Sequence, residues 1–461
     1  MKKIIVIDKG KKVGNEVCCG VILAPACSGE VRPSFYIKKY TTESAPETLT
    51  LYSTKTSAII LIPSETYRAM QNGTLCAEDE ALLKELGFLV PDQKAEIDCI
   101  INKFDRIQIP YVQVILAINM DCNFACRYCF EGDTKTGVRM DKKVLEQSLR
   151  FIEDEIKKQE TKELLLGLYG GEPLLTPDLT KQVLFEASKI CARNSIRLRT
   201  TMVTNGSLLK RDLLKELIQF GLQKIRVTID GPPEVHNYFR PFKNKKGSFE
   251  IILKNLKECI DLIQRLEIGG NYSKETYREF PRLLDILLKE GLTPEKVEFI
   301  RFEPIINQPK GISIFKGGCS SINEPWVAEA GLFLREEIIK RGYKTRKIEP
   351  IFCMVNNKRA FIIGTDGGIY KCPGFIGIEQ FKIGDVFSGV GRPDAYSPGI
   401  WKNEKCASCV YLPLCYGGCR YMAYLRHGTV KALDCQKPFF DKNLHRFIEQ
   451  ELRFKKIGQE L

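Results

Sequence analysis

Cys122, Cys126 and Cys129 stand in the stretch DCNFACRYCF with the spacing C-x3-C-x2-C. Zinc sites and iron–sulfur clusters are usually completed by four protein ligands, yet no fourth cysteine is near. The three histidines, His236, His427 and His445, are all distant in sequence. Soft thiolates favour iron–sulfur clusters. Three of them can hold three irons of a four-iron cube and leave the fourth open to a small ligand. A zinc site that borrows a remote ligand is the alternative. A strand-like run, YVQVILAINM (111–120), ends directly before the cysteines. In parallel β/α folds, reactive groups collect at the carboxyl ends of strands.

Further strand-like runs follow: ELLLGLY, RLRTTMVTN, QKIRVTID, LEIGGNY and KVEFIRFEP. Between them lie amphipathic runs such as DKKVLEQSLRFIEDEIKKQ, whose apolar residues recur at three and four, a helical period. This α/β alternation predicts a parallel sheet curled into a partial barrel, with a flat doubly wound sheet as the alternative. Four successive strands end in a chemically suggestive stretch: the cysteines, then GGEP (Gly170–Pro173), TNG (Thr204–Gly206) and TIDGP (Thr228–Pro232). Paired glycines let backbone approach a ligand. Singly, each motif reads as a turn; their common position at one sheet edge argues for a ligand there.

At 461 residues the chain exceeds one ordinary core and implies two or three domains. No run approaches the ~18 apolar residues of a membrane span, and the apolar run in MKKIIVIDKG is too short for a secretory signal. The expectation is a cytoplasmic protein without membrane association. Its 18 cysteines then read as metal ligands or reactive thiols. Ten fall in close arrays, while Cys18, Cys19, Cys27, Cys76, Cys99, Cys191, Cys259 and Cys319 are scattered and by default small buried apolar residues. The net charge of +13 is either a solvated surface or an attraction for an acidic partner. No nucleic-acid module accompanies it, which favours an acidic peptide over a nucleic acid.

Residues 1–108 carry their own pattern of strand-like (KKIIVID, TLTLYST, SAIILI) and helix-like runs, enough for a small α+β domain, with helix starts at Ser64 and Glu78 to Glu80 and stops at Gly73 and Gly87. Residues 109–310 hold the β/α alternation. In 311–461 periodicity fades and cysteines crowd, so metal is expected to stabilise this part as much as apolar burial does. Cys353 is followed by thirteen residues, Gly367, four residues and Cys372. Cys406, Cys409, Cys415 and Cys419 follow in CASCVYLPLCYGGC, and Cys435 closes the set. Seven cysteines can serve two clusters; a zinc ribbon would use four.

From about residue 109 onward the chain resembles the radical SAM superfamily, through Cys122, Cys126, Tyr128, Cys129, GGEP, TNG and TIDGP in that order. The resemblance implies a partial (β/α)6 TIM-like barrel. Its open iron would bind the amine and carboxylate of S-adenosylmethionine, and reductive cleavage would give a 5′-deoxyadenosyl radical. By the same resemblance Tyr128 meets adenine through its backbone, and Gly170 and Gly171, in the GGEP motif with Glu172, meet the methionyl amine. Asn205 meets the methionine or ribose, and Thr228 the carboxylate with Arg240 as counter-charge. A guanidinium fork suits a carboxylate; a plain surface charge is the alternative for Arg240. His236 reads as a packed histidine. The later array resembles the SPASM extension. That implies an outer cluster on Cys406, Cys409, Cys415 and Cys435 and an inner one on Cys353, Cys372 and Cys419, for three [4Fe-4S] clusters in all. The inner set is one ligand short; either Cys319 completes it or its iron is open.

The leading expectation is a peptide-modifying radical SAM/SPASM maturase that forms a thioether or related crosslink. Its partners would be a peptide or protein substrate with a leader segment and a low-potential donor such as flavodoxin or ferredoxin. The N-terminal domain loosely resembles the winged-helix-like recognition domains that bind a leader as an added strand. An anaerobic sulfatase maturase, which makes formylglycine, is the second reading. Against it stand the 121 residues before Cys122 and Pro373, where those enzymes carry aspartate after the cysteine. A non-catalytic iron–sulfur electron carrier is the third.

Overall fold

The computed structural model describes residues 4–10, 31–41, 48–106, 109–129, 137–307, 317–350 and 353–457. Cys18, Cys19 and Cys27 lie outside them. The N-terminal part contains β1 (Ile5–Asp8), β2 (Arg32–Pro33), β3 (Ile37–Tyr40), β4 (Thr48–Ser53), β5 (Ile59–Pro63) and β6 (Leu89–Val90), with helices α1 (Ser64–Asn72), α2 (Ala77–Glu85), α3 (Gln93–Ile101) and α4 (Lys103–Arg106). An antiparallel sheet runs β1-β5-β4-β3, and β2 pairs with β6. Gly73 ends α1 with φ 68°, the left-handed cap glycine takes without strain. The Asp92 side chain starts α3 by accepting the N–H groups of Lys94 and Ala95.

The central part alternates β7 (Tyr111–Asn119), α5 (Lys142–Lys158), β8 (Glu163–Gly170), α6 (Pro177–Arg193), β9 (Arg197–Thr204), α7 (Arg211–Gln219), β10 (Lys224–Thr228), α8 (Pro233–Phe239), α9 (Phe249–Cys259), β11 (Arg265–Tyr272), α10 (Phe280–Lys289) and β12 (Val297–Pro304). In α5 the Asp141 carboxylate caps the first turn, and Val144, Leu145, Ser148, Phe151, Ile152, Glu155 and Ile156 form its buried stripe. Strands β7 to β12 are parallel and lie side by side in chain order. A doubly wound sheet reverses its order at a switch point. An order with no reversal, joined by right-handed crossovers, keeps the helices on one face, and the sheet curls as a partial barrel.

The C-terminal part contributes α11 (Pro325–Lys340), β13 (Ala360–Ile363), β14 (Gly368–Tyr370), β15 (Gly384–Asp385), β16 (Gly389–Val390), α12 (Glu404–Ala407), α13 (Leu412–Cys415), α14 (Arg420–His427) and α15 (Lys437–Ile457). β13 pairs in parallel with the outer side of β7, Ala360 opposite Gln113, so one ten-stranded sheet crosses the boundary expected at 310. Apolar burial is also larger here than fading periodicity suggested. Phe439, Phe440, Leu444, Phe447, Ile448 and Leu452 of α15 pack with Ala328 and Leu332 of α11 and with Ile7, Tyr52, Ile59 and Leu61 of the N-terminal sheet. Nearby, Tyr36, Ile100 and Phe104 pack against Trp401, Leu412 and Tyr416. Trp401 Nε1 donates to the carbonyl of Ile101 at 2.9 Å, and Thr54 Oγ1 to that of Val410 at 2.6 Å. The N-terminal part is thus joined to the segment that carries Cys406, Cys409 and Cys415. No helix among the described residues is long and apolar enough to cross a membrane.

Candidate functional site

The loop after β7 is held from two sides. Asn119 Oδ1 accepts the N–H of Asp121 at 3.1 Å, and the Asp121 carboxylate accepts that of Cys122 at 2.8 Å. On the other flank Ala125 N–H donates to the Pro241 carbonyl, Arg127 N–H to that of Phe239 and Lys243 N–H to that of Asn123. The rings of Phe124 and Phe242 meet edge to face with centroids 4.9 Å apart. Cys122 is buried and its sulfur accepts the N–H of Phe124 at 3.4 Å; donors of this kind stabilise a thiolate.

Gly170 and Gly171 show why the second strand ends in paired glycines. A Cβ on Gly170 would lie 2.2 Å from the Asn119 carbonyl oxygen, and one on Gly171 only 1.9 Å from that of Asp121. Gly170 also holds φ 122°. The N–H groups of Gly171 and Glu172 donate to those same carbonyls at 3.0 and 2.8 Å. The pair therefore locks the β8 end against the cysteine loop, and both glycines line the cavity beyond it.

Glu172, expected at the cofactor, is placed differently. Its side chain is buried, and its carboxylate accepts the Leu174 N–H (3.0 Å), the Thr204 hydroxyl (2.7 Å) and the Asn205 N–H (2.7 Å). Burial raises its carboxyl above the usual range against these donors. Glu172 is absent from the cavity wall and acts as a tie that sets Asn205. That residue does line the cavity: its Nδ2 donates to Asn123 Oδ1 at 2.8 Å and reaches toward Cys122 sulfur at 3.9 Å.

Tyr128, Arg240 and Thr228 reach the same cavity. The Tyr128 hydroxyl donates to the buried Asp230 carboxylate and accepts from Arg240 (2.8 Å) and Asn271 (3.0 Å). Asp230 also accepts the Asn271 N–H at 2.8 Å and stands 4.0 Å from Arg240. Burial opposes the charge on Arg240, but Cys126, Tyr128 and Asp230 outweigh it and hold the guanidinium protonated. Its Nε is buried without a hydrogen-bond partner. Such a group costs free energy until a ligand accepts from it.

His236 is fully buried behind this cluster. The Asp230 N–H donates to its Nδ1 at 3.1 Å, which leaves the proton on Nε2, facing Ser248 Oγ at 3.0 Å. The Ser248 hydroxyl donates to the Arg240 carbonyl at 2.6 Å. Burial, aided by Arg240, lowers the imidazole well below its ordinary value. The unfolded chain therefore binds this proton first as pH falls through about 6.5, and the folded state loses up to about 1.4 kcal/mol per further pH unit. In anaerobic chemical denaturation, His236→Gln keeps both polar ends and is expected to lack that slope. An unchanged slope would place the dependence on other groups.

The cavity measures about 1040 Å³ and runs from Cys122, Cys126 and Cys129 past the ends of β8 to β12 to Cys319, Cys372 and Cys419. Its wall includes Arg226, Asn271, Tyr272, Arg301 and Glu303, which sequence reasoning did not single out. Asn271 lay within reach: it follows Gly269–Gly270 at the end of the fifth strand, the same position as the other motifs.

The three thiols, the Asn205 amide and the Arg240 guanidinium share one cavity, and these donors fit a thiolate-held cluster with a ligand bearing a carboxylate. No three His, Cys, Asp or Glu side chains among the described residues converge on a single metal ion; a cube takes one thiolate per iron and needs no such convergence. Cys353, Cys372 and Cys419 come close enough to act on one another: burial, reinforced by Cys419 and Cys353, pushes the Cys372 thiol up. Cys409, Cys406 and Cys435 add likewise to the burial that raises Cys415 to about 12. Cys319 is fully buried in a cluster with Val327 and Met422 against which Cys419 packs, and burial raises it to about 12. Cys353 and the four cysteines of the outer group do not line the cavity.

A cysteine-type anaerobic sulfatase-maturating enzyme of Clostridium novyi (strain NT) is 23% identical over 368 residues, covering 72% of this chain and 95% of that protein. An Fe-coproporphyrin III synthase of Methanosarcina barkeri is 22% identical over 363 residues, covering 70% of this chain and 86% of that protein. The structure of anSMEcpe with bound AdoMet and Cp18Cys peptide superposes with TM-score 0.59 at 18% identity over 75% of this chain and 99% of its own. Streptococcus suis SuiB bound to precursor peptide SuiA superposes with TM-score 0.52 at 16% identity over 88% of this chain and 99% of its own. Residues 118–287, from the end of β7 and the cysteine loop through α10, match the radical SAM superfamily, and the chain carries a radical SAM domain there.

Proposed function

We propose that the chain modifies a residue of a ribosomally made peptide, with a thioether or related crosslink as product. The supporting observation is the cavity. At about 1040 Å³ it is at the upper end of the range for small-molecule pockets, and it leads from the three-cysteine loop to Cys372 and Cys419. This reading seats S-adenosylmethionine and a peptide segment together in it. When bound, the cluster and S-adenosylmethionine supply a 5′-deoxyadenosyl radical that removes hydrogen from an unactivated carbon. The chain's own residues orient the reactants. Arg240, fixed by Tyr128 and Asp230, offers its N–H groups to the methionyl carboxylate, and Asn205, fixed by Glu172, presents its amide beside Cys122. The rest of the cofactor set is two auxiliary clusters, on Cys353, Cys372 and Cys419 and on Cys406, Cys409, Cys415 and Cys435. A low-potential carrier such as flavodoxin or ferredoxin is the electron source. The test is anaerobic turnover with dithionite, S-adenosylmethionine and the cysteine-containing peptides encoded by neighbouring small reading frames. The expected product has lost two hydrogens from one peptide. Formation of 5′-deoxyadenosine with every peptide unchanged would refute the reading.

A second reading, formylglycine formation in a sulfatase, is favoured by the match to 95% of the Clostridium novyi enzyme. A cysteine-containing sulfatase peptide in the same assay decides between them. At the inner site, Cys319 and Cys419 line the same cavity, and Cys319→Ser is expected to retain full iron content if that iron is open to substrate. Loss of one cluster would make Cys319 its ligand.

The leader segment is proposed to add to the edge of β3, whose one strand partner among the described residues is β4. Thr54 N–H donates to the Tyr36 carbonyl at 2.8 Å. Alternation along an antiparallel pair then turns the N–H groups of Ile37 and Lys39 outward. Lys39→Pro removes an outward donor and spares the β4 ladder. It is expected to weaken binding of a fluorescent precursor by about tenfold or more, with Lys39→Ala as control. Equal affinity in the two variants would rule out strand addition at this edge.

A further inference from the structure

The cysteine loop has two faces. One looks into the cavity; the other lies against residues 238–246 and faces solvent. The outer face is cationic. Arg127, Arg139, Lys243, Lys245 and Lys246 are all exposed on it. Across the described residues of 121–129, 137–140 and 238–247, Asp121 is the one carboxylate, and it is already paired with Lys243 at 2.8 Å. That hydrogen bond to Lys243 is the main cause that lowers its carboxyl. An aromatic side chain completes the patch: Tyr238 is 54% exposed, with the Arg127 guanidinium 4.1 Å from its ring centroid. The face is not a loose surface. Arg127 Nε donates to the Tyr238 carbonyl at 2.8 Å, and the backbone pairing at Ala125, Arg127 and Lys243 binds the two segments together.

From this arrangement we infer that the Arg127–Lys243–Lys245–Lys246 face is the docking surface for an acidic one-electron carrier protein. The inference rests on the radical SAM reading, in which the cluster held by this loop needs a reductant. Electron transfer falls steeply with distance, and the cavity side is taken by cofactor and substrate. The outer face is then the short route to the three thiolates. A patch of like charge with one exposed aromatic suits a small, weak, electrostatically steered encounter. One electron leaves the reduced carrier and enters the cluster; the carrier is oxidised and the cluster reduced by one electron each.

The experiment uses the reconstituted full-length enzyme. Cluster reduction is followed by anaerobic stopped-flow absorbance, with photoreduced flavodoxin in one arm and dithionite in the other. The double variant Lys245→Glu/Lys246→Glu is expected to slow flavodoxin-driven reduction about tenfold or more at low salt and to leave dithionite-driven reduction unchanged. The wild-type flavodoxin rate falls as ionic strength rises. The milder pair Lys245→Gln/Lys246→Gln gives an intermediate rate. Equal flavodoxin rates in wild type and variants, or an equal slowdown with both reductants, overturns the docking surface. The radical SAM reading is scored separately, by 5′-deoxyadenosine formed with dithionite.

Discussion

With Cys122, Cys126 and Cys129 all replaced by alanine, 5′-deoxyadenosine formation falls to background. Iron content drops by one cluster, and the absorbance of any auxiliary clusters remains. The two cysteine regions are separate in the fold. Cys122, Cys126 and Cys129 sit on the loop between β7 and α5, which is held by Asn119, Asp121 and the Phe239–Lys243 backbone. Cys372 and Cys419 line the far part of the cavity, with Cys353 close enough to act on Cys372, and the outer group does not line it. Removal of the first set spares the others. A single substitution is a weaker test, because two thiolates and a water can retain part of a cluster; the triple change removes every first-site thiolate. Anaerobic iron analysis with an assay of S-adenosylmethionine cleavage checks both halves of the result. Cleavage that persists would move the reactive iron to the later array.

The second large effect concerns a residue that does not line the cavity. Glu172→Ala is expected to cost about 3–5 kcal/mol in global stability. The Leu174 N–H, the Thr204 hydroxyl and the Asn205 N–H all point at one buried carboxylate. Alanine leaves two buried N–H groups unpaired; the Thr204 hydroxyl can rotate, so the sum stays below three full penalties. Asn205 loses the contact that fixes it beside Cys122, and S-adenosylmethionine affinity is expected to fall even where the protein remains folded. Glu172→Gln restores shape but turns an N–H₂ toward a donor and recovers only part of the loss. Anaerobic urea denaturation and equilibrium dialysis of S-adenosylmethionine measure the two effects. A loss below about 1 kcal/mol would show that the loop is fixed by its backbone contacts.

Glu172 also shows what a linear motif conveys. GGEP was legible as a strand-end signal because glycine pairs mark close backbone approach, and the approach is there, to Asn119 and Asp121. Which atoms approach, and that the glutamate turns inward to hold Asn205, depends on β8 and β9 lying side by side. The chain order of β7 to β12 followed from alternating periodicity, since each crossover is local. The pairing of β13 with β7 did not: four residues, Ala360–Ile363, join a strand some 250 positions earlier, and nothing in RAFIIG names that partner. Asn271 and Arg301 went unnoticed for a related reason. Each stands on a strand that mixes polar with apolar residues, a common solvent-face pattern until the strand is known to curl around a cavity. The apolar spacing of α15, by contrast, was present in PFFDKNLHRFIEQEL and was masked only by the cysteines around it.

The N-terminal part meets the rest of the chain through Tyr36, Tyr52, Ile59, Leu61, Ile100 and Phe104, which cover Trp401, Tyr411, Leu414 and Tyr416 around Cys406, Cys409 and Cys415. A chain shortened to start near residue 106 would therefore lose the cover of these rings. It would open a dry wall of aromatic rings to water and dissolved oxygen at the outer thiolates. The domain that looks detachable in sequence is in this sense part of the casing of the cysteine-rich half.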